Sequence, residues 1–126
     1  MPARVVNMTV DEVKAYCAAL PGVSSKLHDT PTNVLVYQLT DKRFAYFKTS
    51  EPQRWRFSVR VMPERFLELT DQPGIQPARY LQRFHWITLV NVQQMPGEQL
   101  RELIDWSYAR ALQALSQRQR EALLPR

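Results

Sequence analysis

The sequence predicts an α+β fold in which an antiparallel sheet packs against two amphipathic helices. Near both ends of the chain, apolar residues recur at intervals of three and four, the spacing of an amphipathic helix. The middle of the chain holds runs of β-branched and aromatic residues, which favour strands. A length of 126 residues is ordinary for one domain, so we expect a single domain over 1–126 with an ordered core at about 8–115.

The first helix is predicted at about 9–20. Thr9 can cap its N-terminus, and Glu12 follows at the spacing of a capping box. Cys17 falls on the apolar stripe, where we expect a small buried hydrophobe and not a nucleophile. Pro21 and Gly22 then end the helix, with Gly22 suited to a left-handed backbone.

Strands follow. Three are predicted in succession and form an antiparallel meander, at about 34–40, 43–49 and 54–61. The sequence leaves open whether a short strand near 26–30 precedes them. A fourth strand is predicted at about 86–92.

The remaining segments are helices and connections. Pro63 suits the first turn of a short helix at about 63–70, and the region 75–85 has no clean period, so it is interpreted as a loop. The last helix, at about 97–115, has the strongest periodicity in the chain. The polar tail 116–126 and the extreme N-terminus are expected to fray.

Composition argues against several classes of function. One cysteine excludes an internal disulfide and a cysteine-based zinc site, and three glycines share no phosphate-loop spacing. His28 and His85 are the only histidines, too few for a convincing metal site. We therefore expect no cofactor, no metal and no enzyme. Without a leader or a membrane-length apolar run, a cytoplasmic protein is expected.

The positive charge is concentrated in the middle of the chain. Residues 42–86 hold nine basic and four acidic residues, while the rest of the chain balances at eight and eight. Within this region the predicted strand 54–61 alternates, so that Arg54, Arg56 and Arg60 would share one face, about 6.6–6.8 Å apart. That repeat suits successive phosphates of a nucleic acid. The alternative is an exposed sheet face kept soluble by charge.

A second candidate segment interleaves basic and aromatic residues over 79–86. Arg79 and Arg83 alternate there with Tyr80, Phe84 and Trp86, the combination that single-stranded nucleic acid needs. The alternative is that the aromatic side chains anchor a long loop to the core, which leaves only the arginines outside.

Taken together, the sequence resembles the MmcQ/YjbR family of small bacterial proteins over about 8–115. The segments that carry the resemblance are LPGV at 20–23, FAYFK at 44–48, Pro63, PGIQPARY at 73–80, HWIT at 85–88 and LIDWSY at 103–108. The resemblance implies an antiparallel sheet packed on helices. Members are commonly described as DNA-binding through a double-wing motif. It points to five positions: Lys48, Arg79, Arg83, His85 and Trp86. The basic pair Arg54 and Arg56 departs from typical members.

Two functional hypotheses follow. The first is a nucleic-acid-binding module of low sequence specificity, with DNA as the partner. Its candidate contacts are Lys48, Arg54, Arg56, Arg60, Arg79, Arg83, His85 and Trp86. The second is a non-enzymatic module that binds a protein or a small ligand in a groove between the sheet and the 74–86 loop. The sequence leaves the oligomeric state open.

Overall fold

One six-stranded antiparallel sheet organises the structure, a computed structural model that describes residues 7–79 and 81–124. The strand order is β1-β2-β3-β4-β6-β5. The strands are β1 (Ser24–His28), β2 (Val34–Leu39), β3 (Lys42–Lys48), β4 (Phe57–Arg60), β5 (Ile75–Pro77) and β6 (Trp86–Leu89). The helices are α1 (Val10–Ala19), α2 (Pro63–Thr70), α3 (Gly97–Ala114) and α4 (Gln117–Leu123). The α+β class and the predicted meander are confirmed.

The core lies on one face of this sheet. The register places Phe47 opposite Phe57 and Phe57 opposite Leu89, so that these side chains point to the same side. All three are fully buried. Leu100 and Ile104 of α3 join them in one apolar cluster, which also takes in residues of α1. Helices thus bury one face of the sheet, and the opposite face is available for other contacts.

The N-terminal helix begins as its sequence predicts. The Thr9 hydroxyl accepts a hydrogen bond from the Glu12 amide at 3.2 Å, and the Glu12 carboxylate accepts one from the Thr9 amide at 3.0 Å. These reciprocal bonds satisfy two amides that the first helical turn leaves without partners. Gly22 has a φ of +77°, the left-handed conformation expected after the helix. The sequence leaves a short strand near 26–30 open, and the structure has one there, β1.

The prediction of a strand at 54–61 is wrong in its first half. Trp55 has a φ of +68°, a left-handed conformation that ordinary strands do not contain. Its amide donates to the Lys48 carbonyl at 2.7 Å, while the Lys48 amide donates to the Arg56 carbonyl at 2.9 Å. Two residues therefore face one, which is a β-bulge, and regular pairing begins only at Phe57.

Three other boundaries differ from the predictions. The segment interpreted as a loop contains the three-residue strand β5, which pairs with β6 despite its proline because it lies at the sheet edge. β6 ends at Leu89, since a short 3₁₀ helix, Val92–Gln94, replaces its predicted end. The tail is helical as α4 up to Leu123, capped by Ser116. Residues 1–6 and 125–126 lie outside the described part of the chain.

Candidate functional site

A groove runs over the open face of the sheet, the face opposite the apolar core. Its volume is about 1040 Å³. One side includes residues from β2, β3 and β4. The other consists of Gln76 and Pro77 in the edge strand β5, and of Leu81 and Gln82 in the turn that follows it. We call this feature the sheet groove. It occupies the position that the sequence predicts for a groove between the sheet and the 74–86 loop.

The floor of the sheet groove is polar and partly aromatic. Antiparallel register places Tyr46 opposite Ser58 and Ser58 opposite Thr88, so that the three side chains form a row across the sheet. The hydroxyls of Ser58 and Thr88 lie 2.7 Å apart and hydrogen-bond to each other. The Tyr46 ring packs against the Trp86 ring with 5.8 Å between centroids. Each floor group is thus held by a neighbour in the sheet.

Cations surround this floor. The basic residues that line the sheet groove are Arg43, Lys48, Arg56 and Arg79, and its described lining includes no carboxylate. The Lys48 ammonium donates to the Thr32 carbonyl at 3.2 Å, which holds it at one side. The bulge at Trp55 places Arg56 on this face. The groove is therefore an electropositive surface suited to anionic ligands.

Only part of the predicted contact set lines this groove. Arg54 lies in the turn before β4, where its guanidinium is 4.8 Å from the centre of the Trp55 ring. Arg83 is exposed beside the ring of Phe84, at 4.8 Å. Trp86 retains 7% exposure and lies beside the Tyr46 ring, so that its own ring is not available for stacking.

His85 and Tyr80 complete the predicted basic and aromatic segment. His85 has a φ of +65° and meets the Phe66 ring of α2 edge-on, with 5.4 Å between centroids. It is not among the groove lining residues. Tyr80 lies outside the described residues. The interpretation of the aromatic residues as anchors of the loop fits Trp86, which is 7% exposed, but not Phe84, which is 43% exposed.

The predicted row of three arginines is wrong. Arg54 leaves the strand because of the bulge, Arg56 lines the sheet groove, and Arg60 lines a different cleft at the far end of β4. Two salt bridges join described residues, Asp41 with Lys42 and Arg65 with Glu68, and neither involves these three arginines. The cations are therefore not neutralised in ion pairs, but they do not form one line.

Sequence reasoning missed Arg43, Tyr46, Ser58 and Thr88 in the groove. The signal for Tyr46 was present, because Tyr46 and Lys48 are two residues apart in a strand and must share a face. Ser58 carried the same signal, because it is two residues from Arg56 in the predicted strand. Thr88 carried none, since the strand that lies next to β4 in the sheet is a matter of topology.

Two further features bear on function. Across residues 7–79 and 81–124, no group of three or more His, Cys, Asp or Glu side chains is placed to hold a metal ion. Among the same residues, no helix combines the length and the apolar character that crossing a bilayer requires.

Comparisons with known proteins place these features in a family context. The family model described as YjbR matches residues 18–110. The uncharacterized protein YjbR of Escherichia coli (strain K12) is 30% identical over 118 residues, which are 93% of this chain and 98% of that protein. The uncharacterized protein YjbR of Escherichia coli O157:H7 matches with the same identity and coverage.

Crystal structures that are similar to this chain include those of a Deinococcus radiodurans protein and a Pseudomonas syringae protein. The Deinococcus radiodurans protein DR2400, with a DUF419 domain, has a TM-score of 0.75 at 29% identity, covering 93% of this chain and 89% of that one. A Pseudomonas syringae protein has a TM-score of 0.67 at 20% identity, covering 82% and 99% respectively. The second comparison shows a shared fold only.

Proposed function

We propose that this chain, which belongs to the YjbR family, binds nucleic acid in the sheet groove, in a binding role without catalysis. The observation that carries the proposal is the charge of the groove lining. Arg43, Lys48, Arg56 and Arg79 line it, and its described lining includes no acidic side chain. A phosphate backbone that crosses the sheet would meet cations on both sides. Because such contacts carry no sequence information, binding would be of low sequence specificity.

The shape of the groove favours a single strand over a duplex. Its described lining comes from strands, turns and one 3₁₀ residue, so that no α-helix is presented for insertion into a major groove. Tyr46 is half-buried on the floor, and its ring packs beside that of Trp86. A ring in that position can stack on a base of any type. Gln76 and Gln82 supply amides that can bond base edges or sugars.

The test is the salt dependence of binding to a short labelled oligonucleotide, measured by fluorescence anisotropy. The variant Lys48→Ala with Arg56→Ala removes two groove cations. We expect weaker binding and a slope of log affinity against log salt that is smaller by about 1.4 for single strands. The matched control is Arg101→Ala with Arg118→Ala, which removes the same charge from exposed sites on α3 and α4.

Two outcomes would count against the proposal. If neither single-stranded nor duplex DNA binds at about 50 mM salt, where the electrostatic attraction is strong, nucleic acid is not the ligand. If the groove variant and the control variant lose the same affinity, binding reflects net charge and not the sheet groove.

A small anionic ligand is the second candidate, and the volume of the groove favours it. A groove of about 1040 Å³ lies at the upper end of the range typical for small-molecule sites. Its hydroxyl, amide and guanidinium groups could orient such a ligand. A thermal-shift screen separates the candidates, because a specific anion that stabilises the chain at constant ionic strength, where DNA does not, favours the small ligand.

A further inference from the structure

A second cleft lies at the other end of β3 and β4, between the turn that joins β2 to β3 and helix α3. Its volume is about 260 Å³, much smaller than that of the sheet groove. Four basic side chains and one carboxylate line it, together with Ser107 and two alanines of α3. The charged residues are Asp41, Lys42, Arg43, Arg60 and Arg110. We call this feature the hairpin cleft.

The positive charge of the hairpin cleft is poorly compensated. Asp41 approaches Lys42 only to 4.0 Å, and the two side chains are 70% and 42% exposed, so that this pair contributes little. No salt bridge is found for Arg43, Arg60 or Arg110 among the described residues. Partial burial, and after it the nearby Arg110, lower the pKa of Arg60. Since an arginine does not lose its proton, this crowding is a cost that a bound anion would relieve.

The backbone around the cleft is fixed by a hydrogen-bond bridge. The hydroxyl of Ser107 in α3 donates to the Phe44 carbonyl at 2.6 Å and accepts from the Arg60 amide at 3.3 Å. Phe44 follows Arg43 directly, so the bridge holds the backbones that carry two of the cations. Arg110 lies three residues after Ser107, on the same side of α3. Three arginines therefore line a site whose backbone is held by hydrogen bonds.

The hairpin cleft and the sheet groove share part of their positively charged lining. Arg43 lines both features, and it stands between them on β3. A strand lying in the sheet groove could therefore reach the hairpin cleft with one end. The small volume suits a single phosphate group and its bridging waters better than a whole nucleotide.

We propose that the hairpin cleft binds a doubly charged phosphate, either free or as a terminal monoester group, through Arg43, Arg60 and Arg110. A monoester carries up to two negative charges and three terminal oxygens, which match several guanidinium groups better than the single charge of a phosphodiester does. Two sources can supply this group. One is free inorganic phosphate. The other is the terminal phosphate of an oligonucleotide held in the sheet groove, and this source rests on the function proposed above.

The first arm of the experiment uses inorganic phosphate. Thermal unfolding is followed in phosphate and in chloride at equal ionic strength and pH. Phosphate should raise the melting temperature of the wild-type chain and of Arg101→Ala, a control on the same helix, but not of Arg60→Ala with Arg110→Ala. The single substitution Arg110→Gln is a milder variant that should show a reduced effect. An equal effect of phosphate on the wild type and on the double variant would overturn the site.

The second arm compares oligonucleotides that differ only in a terminal phosphate. If the strand end is the source, a phosphorylated strand should bind the wild type about tenfold more tightly, while Arg60→Ala with Arg110→Ala should not distinguish the two. Oligonucleotides that bind equally well, together with no phosphate effect in the first arm, would refute the hairpin cleft and leave the sheet groove standing. Stabilisation by inorganic phosphate without any oligonucleotide binding would support the cleft and refute the nucleic-acid function.

Discussion

Replacement of Ser107 tests how the sheet and α3 are joined. The β3–β4 register pairs Ala45 with Val59, so its continuation by one residue would place Phe44 opposite Arg60. In the structure the Ser107 hydroxyl occupies that position and bonds to both backbone groups. A side chain of α3 thus supplies the next rung of the ladder. Ser107→Ala removes that rung while it keeps the backbone and nearly the same volume.

The expected loss of stability follows from the two backbone groups that would lose a partner. Ser107 is 2% exposed, so water cannot readily replace the hydroxyl. A buried donor or acceptor left unsatisfied costs about 1–3 kcal/mol, and two such groups give roughly 2–4 kcal/mol after partial relaxation. Alanine is a better helix former than serine, and this difference offsets only about 0.5 kcal/mol of the lost stability. We expect Ser107→Ala to lower the free energy of unfolding by about 1.5–3.5 kcal/mol.

The assay is urea denaturation followed by circular dichroism, with the wild type and Ser25→Ala in parallel. Ser25 is an exposed residue of β1, so its substitution should change stability by less than about 0.5 kcal/mol. If Ser107→Ala is as stable as Ser25→Ala, the strands must close to a direct bond between the Arg60 amide and the Phe44 carbonyl. The bridging role of the hydroxyl would then be refuted.

Three other predictions concern α1. Thr9→Ala should cost about 1 kcal/mol in urea denaturation by loss of the capping bond to Glu12, whereas Thr9→Ser should cost much less. Burial, and then the hydrogen bond to Asp105, raise the pKa of Tyr16 from its usual 10.0 to about 12, so the folded chain holds the phenolic proton more tightly. The stability that the neutral Tyr16 phenol contributes should be fully present below pH 10.0 and should fall as pH rises toward about 12. In Tyr16→Phe the free energy of unfolding should decline less steeply over this pH range. Burial raises the pKa of Cys17 from 9.0 to about 12. A thiol reagent at neutral pH should therefore label the native chain roughly a thousandfold more slowly than the urea-unfolded chain, and equal rates would contradict the buried position.

Local signals account for the elements that the sequence predicts well. Thr9 and Glu12 define the start of α1 by bonds within four residues, and the periodicity of α3 follows from one helix that buries one face. A comparable signal was present at Ser116 and Gln119, which form the capping box of α4. The polar composition of the tail predicts fraying, yet Leu123 packs against the core.

The sequence by itself therefore determined the α+β class, the meander and a surplus of positive charge in the middle of the chain. The tertiary structure alone decided which of those charges share a site. The sequence does not indicate the left-handed turn at Trp55, because glycine or asparagine usually occupies such a position. That turn separates Arg54 from Arg56, while the pairing of β4 with β6 joins Ser58 to Thr88 across 30 positions. The alternation of side chains along a strand depends only on neighbouring residues, whereas bulges and strand order depend on contacts between distant residues.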